Sequence, residues 1–136
     1  MKNLSQFDIV NLDREKVIAI KAMWEEHFIP AEIERDKLFL DSFLWHIFSY
    51  EAQECERGDQ AIQKFNSTPK NEVYIFYQCI DDGYRVKNAE SFTEKDLDHF
   101  ITNFEASDIY VVDEHYSWTF VKTHEADLGP YFYIKK

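Results

Sequence analysis

The spacing of apolar residues predicts three helices in the first half of the chain. The first begins after the N-cap residue Asp13 and ends before Pro30, because the residue that precedes a proline disfavours the helical conformation. The second covers about residues 32–48 and carries apolar side chains on a wide arc, which is typical of a buried helix. A short third helix follows a break at Gly58 and Asp59. The apolar residues that support these predictions are Val17, Ile20, Trp24 and Phe28 in the first helix, Leu40, Phe43, Leu44, Ile47 and Phe48 in the second, and Ala61, Ile62 and Phe65 in the third.

The pattern changes to that of strands after residue 69. The string EVYIFYQCI is apolar or aromatic on both faces, as in the centre of a sheet. Asp81, Asp82 and Gly83 predict a hairpin turn after it, in which Gly83 takes a positive φ. The predicted strands, in chain order, are residues 72–80, 84–87, 109–113, 118–123 and 131–134.

Two shorter features complete the pattern. Residues 4–12 alternate only partly between apolar and polar side chains, so they form either a short strand or an extended arm. Thr93 and Asp96 have the spacing of a capping box, with Asp in place of the usual Glu or Gln. A fourth helix is predicted to follow, with its apolar stripe on Leu97, Phe100, Ile101 and Phe104.

The order of these elements predicts the fold class. Helices come first, strands follow, and short loops connect strand to strand. We therefore expect a single α+β domain over residues 1–136, in which N-terminal helices pack on a small antiparallel sheet. Because aromatic residues make up 17% of the chain, that sheet should be rich in aromatic side chains.

The charge of the chain restricts its partners. Lys and Arg number 15 against 26 Asp and Glu, which gives a formal net charge of −11 at pH 7. The excess is spread evenly, with −5 in the first 68 residues and −6 in the rest. Such a surface lacks the cations that replace counterions on nucleic acid, and it repels anionic membranes. We expect no nucleic-acid or membrane role, and a basic protein is the partner that this surface would attract.

The cysteine content and the N-terminus indicate a compartment. Cys55 and Cys79 form neither a CxxC pair nor a metal-ligand spacing, so we expect two buried thiols in a reducing environment. The N-terminus already carries Asp8 and Asp13 and has no apolar run of signal-peptide length. These features predict a cytoplasmic protein.

Several strings resemble a small bacterial single-domain family of unknown function. They are FLWHIFSYE, VYIFYQ, IYVVD, WTFVKTHE and LGPYF, in this order from residue 43 to residue 132. The resemblance implies a single-domain bacterial cytosolic protein and carries no mechanism with it. A small acidic chain with a Trp-Thr hairpin and a His-Glu end is also similar in general character to immunity proteins of bacterial toxin systems.

A candidate site for chemistry lies at the end of the second predicted hairpin. Alternation from Trp118 places Lys122 and His124 on one face, and Glu125 follows His124. With Glu125 or Asp113 beside it, His124 could act as a general base near neutral pH. The alternative interpretation is a histidine that orders its loop through hydrogen bonds.

His46 is the second candidate. One interpretation is a core histidine whose ring nitrogens are satisfied by neighbours on its aromatic helical face. The other is that His46 meets His124 in space, with Asp113 or Glu51 completing an acid–base pair or a metal site. The sequence contains no HExxH pattern, so we expect neither a metal nor another cofactor.

Four aromatic residues are candidate anchors for a partner: Trp45, Tyr110, Tyr116 and Trp118. Tyrosine and tryptophan combine a large apolar surface with one polar group, which suits them to protein interfaces. Trp45 follows Asp41 by one helical turn, on the more polar side of the predicted second helix, and an exposed Trp beside acids would be a hot spot for a basic partner.

These observations lead to three hypotheses of function. The first is a non-enzymatic, acidic protein-binding domain, in its concrete form an inhibitor or immunity-type protein for a basic partner. The second is a small hydrolase or lyase that uses His124 with Glu125, Asp113 or His46. The third is a homodimeric protein that pairs through a sheet edge or an aromatic patch.

Overall fold

The fold is taken from a computed structural model, which describes residues 6–33, 43–49, 54–101, 107–124 and 129–135. Within these ranges the chain forms four helices and seven strands. In chain order they are β1 Ile9–Asn11, α1 Arg14–Phe28, α2 His46–Ser49, β2 Glu56–Arg57, α3 Asp59–Ser67, β3 Val73–Tyr77, β4 Gly83–Val86, a 3₁₀ helix Glu94–Phe100, β5 Ile109–Asp113, β6 Trp118–Lys122 and β7 Tyr131–Ile134.

The seven strands form one antiparallel sheet in the order β1-β4-β3-β5-β6-β7-β2. The register places Ile75 of β3 between Tyr84 of β4 and Val111 of β5. The two edge strands are the shortest, with three residues in β1 and two in β2, which limits pairing with other chains. The predicted α+β class with an antiparallel, aromatic-rich sheet is confirmed.

Helices cover both faces of this sheet. Neighbouring residues of a strand point to opposite faces, so each central strand contributes side chains to both hydrophobic clusters. Ile75, Val111 and Phe120 lie in the hydrophobic cluster formed with α3 and the 3₁₀ helix. Phe76 and Tyr110 lie in the other cluster, formed with α1 and α2. The central strands are therefore buried on both sides, as their unbroken apolar pattern predicts.

Helix α1 follows the prediction closely. The Asp13 side chain accepts a hydrogen bond from the backbone N–H of Lys16 at 2.8 Å, which satisfies one of the free donors at the helix start. The helix ends at Phe28, and Ile29 is already extended in front of Pro30. The predicted stripe is the buried one: Val17, Ile20, Trp24 and Phe28.

The second predicted helix is right only at its C-terminal end: residues 46–48 are helical, and residues 32–33 are not. Residues 34–42 lie outside the described part of the chain, and the backbone at 43–45 is not helical. The N–H groups of Leu44 and Trp45 donate instead to Gln78 Oε1 (2.9 Å) and the Tyr110 hydroxyl (3.0 Å). The side chains of Gln78 and Tyr110 satisfy these donors, and α2 begins at His46.

The backbone conformation of Gly83 differs from the prediction. Gly83 opens β4 without a positive φ, which occurs instead at Gly58 (φ 60°) and Gly129 (φ 105°). A Cβ atom at position 83 would lie 2.7 Å from Cγ2 of Val17, so Gly83 is required by the close approach of α1. Gly58, part of the predicted break, is the N-cap of α3.

The predicted capping box of the fourth helix is confirmed. The Asp96 carboxylate accepts from the backbone N–H of Thr93 at 2.7 Å. The Thr93 side chain accepts in turn from the backbone N–H of Asp96. The helix is 3₁₀ rather than α, and Phe104 lies outside the described residues. In a 3₁₀ helix residues i and i+3 eclipse each other, which aligns Leu97 and Phe100 in the core.

The second edge strand, β2, was not predicted from the sequence. Its Glu56 and Arg57 pair with Phe132 and Tyr131 of β7. Every helix in the described ranges is too short or too polar to cross a bilayer.

Candidate functional site

The predicted chemistry falls at the end of the sheet where β3 and β6 finish and β5 and β7 begin. The register that pairs Tyr77 with Ile109, and Ile109 with Lys122, brings Gln78, Asp108 and His124 to this end. The segment 43–49 packs above them on the α1 face. We call this group of residues the sheet-end cluster: Phe43, Trp45, His46, Gln78, Asp108, Tyr110 and His124.

His124 is held by a carboxylate that the sequence reasoning missed. Asp108 is 3% exposed, and its Oδ1 accepts from the backbone N–H of His124 at 2.7 Å. The ring Nδ1 lies 2.8 and 2.9 Å from the two carboxylate oxygens. A carboxylate only accepts, so Nδ1 carries the hydrogen and Nε2 is the basic nitrogen of the neutral ring. The sequence feature that could have identified Asp108 is its position directly before β5, since antiparallel pairing places it beside the residues that follow β6.

The two histidines share the same aromatic neighbours. The rings of Phe43 and Trp45 have their centroids 5.4 and 6.1 Å from that of His124. The same two rings lie 5.2 and 4.6 Å from His46. His46 and His124 therefore border one aromatic group. Glu125 and Glu51, which were expected to complete the site, lie outside the described residues.

The expected common face of Lys122 and His124 is wrong. Lys122 points to the 3₁₀ helix, where its Nζ lies 2.9 Å from Glu94 and 3.1 Å from Asp98. His124 contacts rings on the opposite face of the sheet. Alternation fails here because β6 ends at Lys122, so His124 belongs to a loop.

Asp113 is also separated from His124. It ends β5 at the turn of the hairpin, about 17 Å from Asp108 for five residues at roughly 3.4 Å each. Its carboxylate accepts from the backbone N–H and the hydroxyl of Ser117, both at 2.6 Å, and from the N–H of Trp118 at 3.0 Å. Asp113 thus orders the turn, and the predicted cluster of Asp113 with His124 does not form.

A buried hydrogen-bond chain supports the sheet-end cluster. The Tyr110 hydroxyl donates to Gln78 Oε1 and accepts from the backbone N–H of Trp45. Burial, with a smaller effect of the Asp108 charge, raises the pKa of Tyr110 well above its usual value. The hydroxyl therefore stays protonated and acts as a fixed structural link between β5 and the segment 43–49.

Three of the four predicted anchors are part of the core. Trp45, Tyr110 and Trp118 are 1%, 0% and 3% exposed, so Trp45 is not an exposed hot spot for a partner. Trp118 packs on Phe65 and Phe132 on the opposite face from Trp45. These rings do not reach the surface, because both faces of the sheet are covered by helices.

Tyr116 is the predicted anchor that reaches the surface. It is half-buried in the β5–β6 turn with a φ of 56°. Its ring stacks on His27 with the centroids 5.2 Å apart. Burial, with the neighbouring Tyr74 as the next cause, raises its pKa to about 12.

Comparison with known families places the chain. A family model described as "Domain of unknown function (DUF4275)" matches residues 5–132. The chain belongs to this family. No curated protein and no solved structure matches the sequence significantly. The resemblance to a small family of unknown function is thereby confirmed.

The chemistry available to this DUF4275 domain follows from these contacts. The described residues contain no group of three His, Cys, Asp or Glu side chains that could hold a metal ion. Cys79, expected to be buried, is exposed beyond the end of β3, and Cys55 is half-buried. The sheet-end cluster supplies one oriented histidine, and the contacts with Asp108 also order the loop after β6.

Proposed function

We propose that the protein is a non-enzymatic binding domain that holds a basic protein partner through its acidic surface. The observation that supports this proposal is the state of the exposed carboxylates. Several have neither an ion pair nor a hydrogen bond within the described ranges, and they lie on different sides of the fold: Glu15, Glu26, Asp59, Asp82 and Glu90.

The cations in the described ranges do not offset these carboxylates, because most of these cations have local partners. Arg14 pairs with Asp81 at 2.9 Å, and Lys122 bridges Glu94 and Asp98. Lys70 is buried against backbone carbonyls. The remaining surface field is negative, and a field of this kind speeds encounter with a basic partner and weakens as salt is added.

The concrete form of the proposal is an inhibitor or immunity-type protein that acts in a reducing compartment, the cytoplasm. The exposed thiol of Cys79 and the absence of a disulfide between the two cysteines fit such a compartment. The charge and the resemblance noted above favour a basic toxin or nuclease as the class of partner.

Affinity capture tests the proposal. The tagged full chain is incubated with extract of the cells that produce it, at about 50 mM and about 500 mM salt, and bound proteins are identified by mass spectrometry. We expect one basic protein that binds at low salt and forms a stoichiometric complex when both components are purified.

Two variants make the test specific. Replacing Glu15, Glu26, Asp59, Asp82 and Glu90 by the corresponding amides should weaken the complex at least about tenfold. Replacing the exposed Lys64, Lys87 and Lys95 by glutamine should leave it intact or tighten it. A complex that ignores both sets of changes, or the absence of any basic partner, would exclude the proposal.

A second candidate function rests on the pair of His124 and Asp108. A buried carboxylate that orients a histidine is the arrangement of a general base, so a hydrolase or lyase remains an alternative. Wild-type protein, His124→Gln and Asp108→Asn are compared on a panel of chromogenic esters and phosphoesters. Activity in the wild type that both variants lose would favour the enzyme, and equal background rates in all three would reject it.

A further inference from the structure

The outward face of α1 carries an apolar patch where a surface helix normally carries polar residues. Ile18 is 48% exposed and Met23 is 37% exposed. Ala19 and Ala22, also exposed, lie between them at helical spacing. The four side chains therefore form one continuous surface, which we call the α1 patch.

The α1 patch is not needed to fold the helix onto the sheet. The opposite side of α1 is already filled by residues that are 0–2% exposed: Val17, Ile20, Trp24 and Phe28. Helix α1 thus presents apolar side chains in two directions, one to the core and one to the surface. Contiguous exposed apolar groups rimmed by polar residues are typical of interaction sites.

An acid stands at each end of the α1 patch. Glu15 lies one turn before Ile18, and Glu26 lies one turn after Met23. Each Lys or Arg of the same helix has another contact. Arg14 pairs with Asp81. The Nζ atoms of Lys16 and Lys21 lie 5.8 and 6.0 Å from the ring centroids of Tyr74 and Phe76. The two carboxylates are therefore not neutralised within the described part of the molecule.

The charge pattern argues against a second copy of this chain as the occupant. Two α1 helices packed antiparallel about the midpoint between residues 20 and 21 would match the apolar positions, with Ile18 facing Met23. The same pairing would place Glu15 against Glu26 at both ends, and like charges opposite each other are destabilising. A parallel pairing would put each glutamate against its own copy.

We propose that the α1 patch is the docking surface for a cationic amphipathic helix of the basic partner. Glu15 and Glu26 are eleven residues apart, or about 16 Å along the helix axis. The matching helix carries Lys or Arg at that same spacing, with apolar residues between them that pack on Ile18 and Met23. This inference rests on the proposed function and specifies the surface that performs it.

A peptide titration tests the proposal. The probe is an eighteen-residue amidated helical peptide with Leu and Ala on one face and two lysines eleven residues apart. The ¹⁵N-labelled full chain is titrated with it at low salt, and backbone shifts report the site. We expect the shifts to concentrate on the exposed side of α1, and the same peptide with glutamates in place of the lysines should bind at least about tenfold more weakly.

Matched variants separate the patch from acidity in general. The charge reversal Glu15→Lys/Glu26→Lys should weaken peptide binding at least about tenfold, and Ile18→Gln/Met23→Gln should also weaken it. Asp82→Lys/Glu90→Lys changes the net charge by the same amount on loops outside α1 and should leave binding within about twofold. Circular dichroism verifies that every variant is folded.

Three results would overturn the inference. The first is a peptide affinity that is unchanged by the α1 variants or is weakened by Asp82→Lys/Glu90→Lys. That result would leave the proposed function intact on another surface. The second is an α1-dependent dimer at neutral pH in light scattering, which would make a second copy the occupant. The third is equal binding of the lysine and glutamate peptides. The proposed function fails separately, if affinity capture finds no basic partner.

Discussion

Thr119 shows how one buried hydroxyl joins two layers of the fold. It is 0% exposed, accepts from the Trp24 indole N–H at 2.8 Å, and donates to the carbonyl of Val111 at 2.7 Å. Helix α1 is thereby tied to the middle of the sheet by a polar contact inside an apolar cluster. Such a contact matters mainly through the cost of leaving a buried donor unpaired.

We predict that Thr119→Val lowers the free energy of unfolding by about 1–3 kcal/mol, because valine keeps the shape and leaves the Trp24 N–H without an acceptor. Urea denaturation followed by circular dichroism measures the change. Repeating the substitution in a Trp24→Phe background provides the control, since phenylalanine has no N–H to satisfy. Equal costs in the two backgrounds would contradict the assigned role of the hydroxyl.

Lys70 is a buried cation at the end of α3. Its Nζ donates to the carbonyl of Thr68 at 3.0 Å and lies 4.5 Å from the centroid of the Phe65 ring. Burial lowers the pKa of Lys70 to about 8. The folded protein therefore releases the Lys70 proton at a lower pH than the unfolded chain does. In the unfolded chain the pKa of a lysine is near 10.5.

This difference predicts a pH dependence of stability. Between pH 8 and pH 10.5 the unfolded chain binds more protons at this position, so stability rises with pH. From pH 7 to about pH 9.5 we expect Lys70 to contribute about 1–2 kcal/mol of this rise. The measurement is urea denaturation at both pH values for the wild type and Lys70→Met, and the rise should be smaller in the variant. An identical pH profile in both proteins would refute the prediction.

At the scale of elements, α1 packs closely on the β3–β4 hairpin at Gly83. Gly83 faces Val17 of α1 and the carbonyl oxygen of Ile75, and a Cβ there would lie 2.7 and 3.0 Å from them. The position of α1 against the sheet thus depends on the absence of a side chain at residue 83. The glycine was expected to serve the geometry of the turn.

We predict that Gly83→Ala destabilises the protein by about 1–3 kcal/mol, because α1 must move away from the sheet. Thermal unfolding measures the loss. Adding Val17→Ala should recover little of it, since the Ile75 oxygen remains in place and a buried side chain is truncated. Gly58→Ala is the comparison: it meets no atom within 4 Å, so its cost reflects only the backbone, whose φ of 60° and ψ of −133° favour glycine, about 1–3 kcal/mol.

The elements also show where pattern reasoning succeeds. The length of α1 and the hairpin of β5 and β6 followed from periodicity, because their buried stripes are long and regular. The second helix did not follow, because apolar spacing is the same whether Leu44 and Trp45 donate to a helix or to the sheet. Gln78 and Tyr110, which accept those N–H groups, are more than 30 residues away in the chain.

At the scale of the whole molecule, the net charge of −11 is the dominant property. Like charges on the surface repel each other, and this repulsion favours the expanded, unfolded chain. Local ion pairs such as that of Arg14 with Asp81 act in the opposite direction, but exposed pairs contribute little. The carboxylates outnumber the pairs, so repulsion should prevail.

We therefore predict that salt stabilises this protein. Raising sodium chloride from about 0.02 M to about 0.5 M should increase the melting temperature by about 4 °C, corresponding to roughly 1 kcal/mol for a domain of this size. Differential scanning calorimetry measures it. The variant with amides in place of the five unpaired carboxylates should respond less, and a melting temperature that falls with salt in the wild type would show that attractive pairs dominate.

The candidate site illustrates the limit of sequence reasoning at this scale. His124 was identified because it follows the strand that begins at Trp118 and has Glu125 beside it in the chain. Its partner was expected to be Glu125 or Asp113, the nearest acids in the chain or in the hairpin. The structure assigns that place to Asp108, because antiparallel pairing brings the start of β5 beside the end of β6.

The sequence by itself determined the α+β class, the position of α1, the main strands and an evenly acidic surface. These properties depend on local periodicity and on composition, which do not require knowledge of distant neighbours. Only the tertiary structure decided that Trp45, Tyr110 and Trp118 are core residues and that Ile18 and Met23 are exposed. Apolar side chains look alike along a chain, and only the layer packed against each face of the sheet or helix determines which of them are covered.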